Sequence, residues 1–202
     1  MARPREFDEE AVLDAAVQCF WAGGYEATSI RDLAQKMGIT SASLYNAFGT
    51  KRELYRRALE QYIKQGFSDR LRRFEGHLPP REAISAFFNE IIERSLSDPQ
   101  RKGCMLVNAA LEVAPHDREF QRLVANFFTQ VEAFFLRCVV AGQKTGEITP
   151  AQPAEDLACL LLGVLLGIRV MARARPERQL LMGLLRPAFA VLDSHKAGKE
   201  RR

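Results

Sequence analysis

Apolar residues recur along most of this chain at the three- and four-residue spacing of helices with one buried face. Val12, Leu13, Ala16, Val17 and Phe20 form a first stripe behind acidic residues that suit a helix N-terminus, and Gly23-Gly24 stop it. Ile30, Leu33, Ala34 and Met37 form a second stripe, capped by Thr28 or Ser29. Gly38 bends the chain, and Thr40 suits the N-cap of a short third helix ending near Phe48, with Leu44 and Phe48 turned inward. Beyond Gly49, Thr50 caps a longer helix from Lys51 to Phe74, in which Leu54, Ala58, Tyr62 and Leu71 fall near one face and Gly66 is the weak point.

"EGHLPPR" marks the clearest boundary, because Pro79 and Pro80 end one element and can start the next. Five further helices are expected near 80–97, 103–113, 116–143, 153–173 and 176–193, with Pro99, Pro115, Pro150 with Pro153, and Pro176 at the breaks. No segment carries the alternation of a strand. The pattern predicts an all-α chain of about nine helices.

Two hundred and two residues at 47% apolar and 27% charged suffice for a real core. The net charge of +4 permits a nucleic-acid partner without demanding one. Residues 1–75 hold 12 Lys/Arg against 11 Asp/Glu, so any DNA-binding surface must come from where charges sit. Cys19, Cys104, Cys138 and Cys159 are far apart and form no CxxC, which reads as reduced thiols in a cytoplasmic protein. The run "LACLLLGVLLGI" at 157–168 reads as a buried helix, too short for a bilayer. The closing "HKAGKERR" reads as a basic tail.

Helices two and three, joined by "KMGI", have the layout of a helix-turn-helix, whose second helix enters the DNA major groove. Ser41, Ala42 and Ser43 are small enough to let a helix N-terminus approach base edges and phosphates. Tyr45 suits a phosphate, Asn46 an adenine edge or the backbone, and Lys51 a phosphate outside the groove.

Thr28 to Tyr55, "TSIRDLAQKMGITSASLYNAFGTKRELY", resembles the DNA-binding signature of the TetR family of transcriptional regulators. Asp32-Leu33-Ala34, Gly38-Ile39-Thr40, Leu44-Tyr45, Phe48 and Lys51 match it in order and spacing, as does the preceding "FWAGGYEATS". The resemblance implies a homodimer with a DNA head at 1–50 and a ligand-binding and dimerisation body at 51–202. It places DNA contacts on Thr28, Arg31, Ser41, Ser43, Tyr45, Asn46 and Lys51, with a basic arm at Arg3 and Arg5. Many relatives carry Gly where this chain has Ala42 or Ser43, and His or an aromatic at Asn46 and Ala47, which leaves base preference open.

In the body, Leu-rich helices carrying Ala158, Gly163, Gly167 and Gly183 suit either a dimer bundle or the chain's own core. Phe87, Phe88, Met105 and Phe128 are candidate lining for an apolar effector cavity or simply core, with Asn108, Glu112 and His116 as polar groups nearby. Cys104 follows Gly103 at a helix start beside Arg101 and Lys102, a setting that favours thiolate. The segment resembles a family subgroup in which a cysteine here senses electrophiles; the bland counterpart is a small buried thiol.

The chain carries no GxSxG, P-loop or HExxH, and His77, His116 and His195 are scattered, so no catalytic residue, metal site or cofactor is expected. The expected function is a ligand-responsive regulator, a repressor on a palindromic double-stranded operator, released by a small apolar or electrophilic effector. The alternative is a helical redox or small-molecule binding protein that does not bind DNA.

Overall fold

A computed structural model of the chain describes residues 8–193; Arg3, Arg5, His195 and the basic tail lie outside the described residues. Among the described residues there are nine helices and no strand. They are α1 (Glu9–Gly23), α2 (Ile30–Met37), α3 (Ser41–Phe48), α4, α5 (Pro80–Leu96), α6 (Met105–Glu112), α7 (Arg118–Thr145), α8 (Ala154–Ala174) and α9 (Arg178–Leu192). α4 runs as Lys51–Ile63, a π-helical stretch Lys64–Ser68, and Asp69–Phe74. Gly66 lies inside the π stretch, where the backbone bonds widen by one residue without ending the helix.

The helix ends follow local chemistry. Asp8 caps α1 by accepting the Glu10 N–H at 3.0 Å, and Gly24, at φ +81°, closes it. Pro79 and Pro80 start α5, where a missing N–H costs nothing. Ile148 presses on the backbone of Gly142, where a Cβ would lie 2.6 Å from its Cδ1, so only glycine allows the turn after α7 to fold back this closely.

The chain divides into two compact units that are not contiguous in sequence. One comprises the residues up to Asp69 together with Cys104–Val124; the other comprises Arg70–Gly103 and the residues from Ala125 on. In the first unit α1 packs on α4, and Tyr55, fully buried, sits with its ring 4.9 Å from Phe20, 4.8 Å from Tyr25 and 5.4 Å from Phe120. In the second, Phe87 and Phe88 of α5 pack on Phe134 and Phe135 of α7, with Phe88 stacked on Phe135 at 5.5 Å. α8 packs on both α5 and α9.

The apolar run at 157–168 sits inside a helix of 21 residues, longer than the run itself suggests. By length and composition α7 and α8 are each long and apolar enough to cross a membrane. Yet α8 buries Leu157, Leu161, Leu165 and Ile168 in the core of its unit, and its buried Arg169 donates to Ser95 Oγ at 3.2 Å. α7 carries Arg122, Glu132 and Arg137 along its length.

Candidate nucleic-acid interface

The α2–turn–α3 unit is built from short-range bonds. Ser29 Oγ accepts the Asp32 N–H at 3.1 Å while the Asp32 carboxylate accepts from the Ser29 N–H at 3.3 Å and its hydroxyl at 2.7 Å, a reciprocal capping box. Those bonds from Ser29 hold the Asp32 carboxyl below the usual carboxylate range. Gly38 adopts the left-handed conformation at φ +68°, and the Ile39 N–H returns to the Ala34 carbonyl at 3.1 Å. Thr40 then caps α3 by accepting the Ser43 N–H at 3.1 Å.

This geometry fixes which side of α3 faces out. Leu33 and Ala34 of α2 and Leu44 and Phe48 of α3 are buried, while Ala42, Tyr45 and Asn46 are exposed, Tyr45 by 51%. Arg57 of α4 lies over the inner Phe48 ring at 4.7 Å. The turn therefore presents a short helix edge-on, with an apolar back and a front of small residues, a phenol and an amide.

The expected contact residues divide into two kinds. Arg31, Tyr45 and Asn46 are exposed, and Ser41 and Ser43 half-buried. Ser43 is also engaged locally, its hydroxyl 2.9 Å from that of Thr40. Thr28 differs from the surface contact expected of it. It is only 7% exposed, and its hydroxyl donates to the Gly24 carbonyl at 2.6 Å, because the chain turns there to enter α2. Lys51 is half-buried; its ammonium donates to the Glu26 carbonyl at 3.3 Å and sits 4.4 Å above the Tyr25 ring. An ammonium has three donors, so this anchor leaves the group able to meet a phosphate.

Glu112 is the residue whose place differs most from expectation. Rather than orienting a ligand in the body, its carboxylate accepts the N–H groups of Tyr25 at 3.1 Å and Glu26 at 2.8 Å. No pattern pointed to a partner that lies 87 residues back. His116 is exposed.

The expected effector residues fall in different units: Cys104, Met105 and Asn108 in the first, Phe87, Phe88 and Phe128 in the second. Cys104 is buried at the N-cap of α6, its carbonyl accepting the Asn108 N–H at 2.9 Å. Met105 is buried and Asn108 half-buried. Phe87 and Phe88 belong to the packed ring cluster of α5 and α7, and Phe128 is half-buried beside Phe127. Burial pushes the Cys138 thiol up to about 12 and raises that of Cys19, whereas Cys159 is exposed.

Residues 12–58 match the family of bacterial regulatory proteins described as tetR family, and residues 80–186 match the tetracyclin repressor-like C-terminal domain. The chain belongs to the TetR family. It is similar to the uncharacterized HTH-type transcriptional regulator YezE of Bacillus subtilis (strain 168), with 34% identity over 195 residues covering 96% of this chain and 100% of that protein. It is also similar to the HTH-type transcriptional repressor ComR of Escherichia coli (strain K12), at 28% over 181 residues, 89% of this chain and 86% of that one. Among solved structures, a cysteine mutant of the TetR family regulator CifR complexed with 26-bp double-strand operator DNA superposes with a TM-score of 0.83. It is 30% identical and covers 95% of this chain and 100% of its own. This TetR-family chain is a ligand-responsive, DNA-binding transcriptional regulator.

Proposed function

We propose that this TetR-family protein is a dimeric repressor that lays α3 of each subunit into the major groove of a palindromic operator. The observation that carries this reading is the outward face of α3, with Ala42, Tyr45 and Asn46 exposed in front of a buried Leu44 and Phe48. Asn46 takes the groove, Ser41 and Arg31 its edge, and Tyr45 and Lys51 the flanking phosphates. Ser43 and Thr28 shape the helix ends from within. Exposed Leu160, Val170, Leu184 and Val191 on α8 and α9 support dimerisation through those helices. The protein works in the cytoplasm, and a small apolar or electrophilic effector releases it from DNA; Cys104 is the candidate for the electrophile.

Selection from a random duplex library with purified protein tests this reading. Enrichment of a palindrome with two half-sites is expected. A folded, dimeric protein that enriches nothing overturns operator binding as its task and leaves the redox or small-molecule binding reading in its place.

A further inference from the structure

The loop from Gly24 to Thr28 joins α1 to the helix-turn-helix, and side chains from other elements bond its backbone on both sides. The Tyr25 and Glu26 N–H groups donate to the two oxygens of Glu112, at 3.1 and 2.8 Å. The Gly24 carbonyl accepts the Thr28 hydroxyl at 2.6 Å, the Tyr25 carbonyl accepts the Thr28 N–H at 3.4 Å, and the Glu26 carbonyl accepts Lys51 Nζ at 3.3 Å. Gly24 is what allows the carboxylate this close: a Cβ there would lie 3.0 Å from Glu112 Oε2, on a backbone already at φ +81°. One carboxylate at the last residue of α6 thus holds one side of a loop whose other side holds Lys51.

We propose that Glu112 is a positioning residue for operator binding. It touches no DNA. By fixing the amides of Tyr25 and Glu26 it presents the Glu26 carbonyl and the Tyr25 ring to Lys51, and so aims that ammonium at a phosphate beside the recognition helix. Glutamine in its place keeps the volume but can accept only one of the two N–H groups, because its NH₂ faces the other as a second donor. The inference rests on the reading that Lys51 contacts the DNA backbone.

Two measurements test it. Hydrogen exchange on the unaltered protein reads the clamp directly: the Tyr25 and Glu26 amides are expected to exchange far more slowly than in an unfolded chain. Exchange at the unfolded rate overturns the proposal. The salt dependence of operator affinity, with the active fraction fixed by stoichiometric titration, reads the consequence. Lys51→Met is expected to lower the log–log slope by about two counterions per bound dimer, one from each subunit, and to weaken binding about tenfold. Glu112→Gln is expected to do the same, and the double variant to add nothing further. Partial unfolding lowers the active fraction but does not move the slope. A normal slope in Glu112→Gln beside a reduced one in Lys51→Met overturns the positioning role alone. Normal slopes in both overturn the proposal through the assignment of Lys51.

Discussion

Arg52 and Asp117 meet fork to fork, Nε to Oδ2 at 2.7 Å and Nη2 to Oδ1 at 3.1 Å, joining the first turn of α4 to the start of α7. The same aspartate accepts the Glu119 N–H at 2.9 Å and so serves the free amides of the α7 N-terminus. Arg52 also reaches Glu119 at 2.6 Å and covers the Phe120 ring at 5.3 Å. Within the first unit, the helix that follows the DNA head is thereby tied to the segment that follows α6.

That pair gives the first unit a pH dependence. The Arg52 hydrogen bonds, with help from the Glu119 and Phe120 amides, pull the Asp117 carboxyl down to about 2 from 3.8. A carboxyl whose native value is depressed stabilises the fold above its unfolded value and stops doing so as pH falls through the native one. Asp117→Asn is therefore expected to melt below the parent by a constant margin near neutrality. The margin should narrow between pH 3.8 and about 2. Melting curves of both proteins across that range check it, and a margin that does not narrow removes the pair as its cause.

The two sides of α3 should respond oppositely. Tyr45→Ala removes an exposed side chain, so stability should move by no more than about 0.5 kcal/mol. Operator affinity is expected to fall at least about tenfold, since a phosphate contact beside the groove is lost. Leu44→Ala instead opens a void in the head and should cost about 2–5 kcal/mol. Thermal melts beside fluorescence-anisotropy titrations with the selected operator separate the two effects.

Thr40 tests the local origin of the recognition helix. α3 has only eight residues, and its cap accepts the Ser43 N–H at 3.1 Å. Thr40→Ala should cost about 1 kcal/mol in chemical denaturation, while Thr40→Ser should cost little. Equal losses in both would show that the methyl group, not the hydroxyl, matters there.

The sequence carried the features that depend on near neighbours. Gly24, Gly38 and Gly49 close helices, Ser29, Thr40 and Thr50 open them, and the helices after Pro80 end within two residues of their expected limits. The inward turn of Leu44 and Phe48 followed from their spacing alone. What depends on distant partners was hidden. Glu112 read as a pocket residue because nothing local reveals a carboxylate bonding amides 87 and 86 residues back. Thr28 read as a surface contact because a motif records residue type and not which way a turn points the hydroxyl. The division expected at residue 50 cuts through the first unit, which reaches Asp69 and gathers Cys104–Val124 from further along the chain.

The four thiols order themselves by environment, and that order decides the sensor reading. Cys159 is exposed to reagent and should alkylate first, and Cys138, whose thiol burial pushes up to about 12, should alkylate among the last because the thiolate is the reacting form. Cys19, also raised by burial, should be slow as well. Cys104 is as buried as Cys138 but stands at the N-cap of α6, the helix whose last residue is Glu112. If it receives the electrophile, it should be modified ahead of Cys19 and Cys138, and operator release should follow its modification in the Cys159→Ser variant as closely as in the parent. Peptide mapping of maleimide-treated protein, timed against anisotropy with the operator, gives both rates. Release that tracks Cys159, or a Cys104 no faster than Cys138, would move the effector away from this thiol.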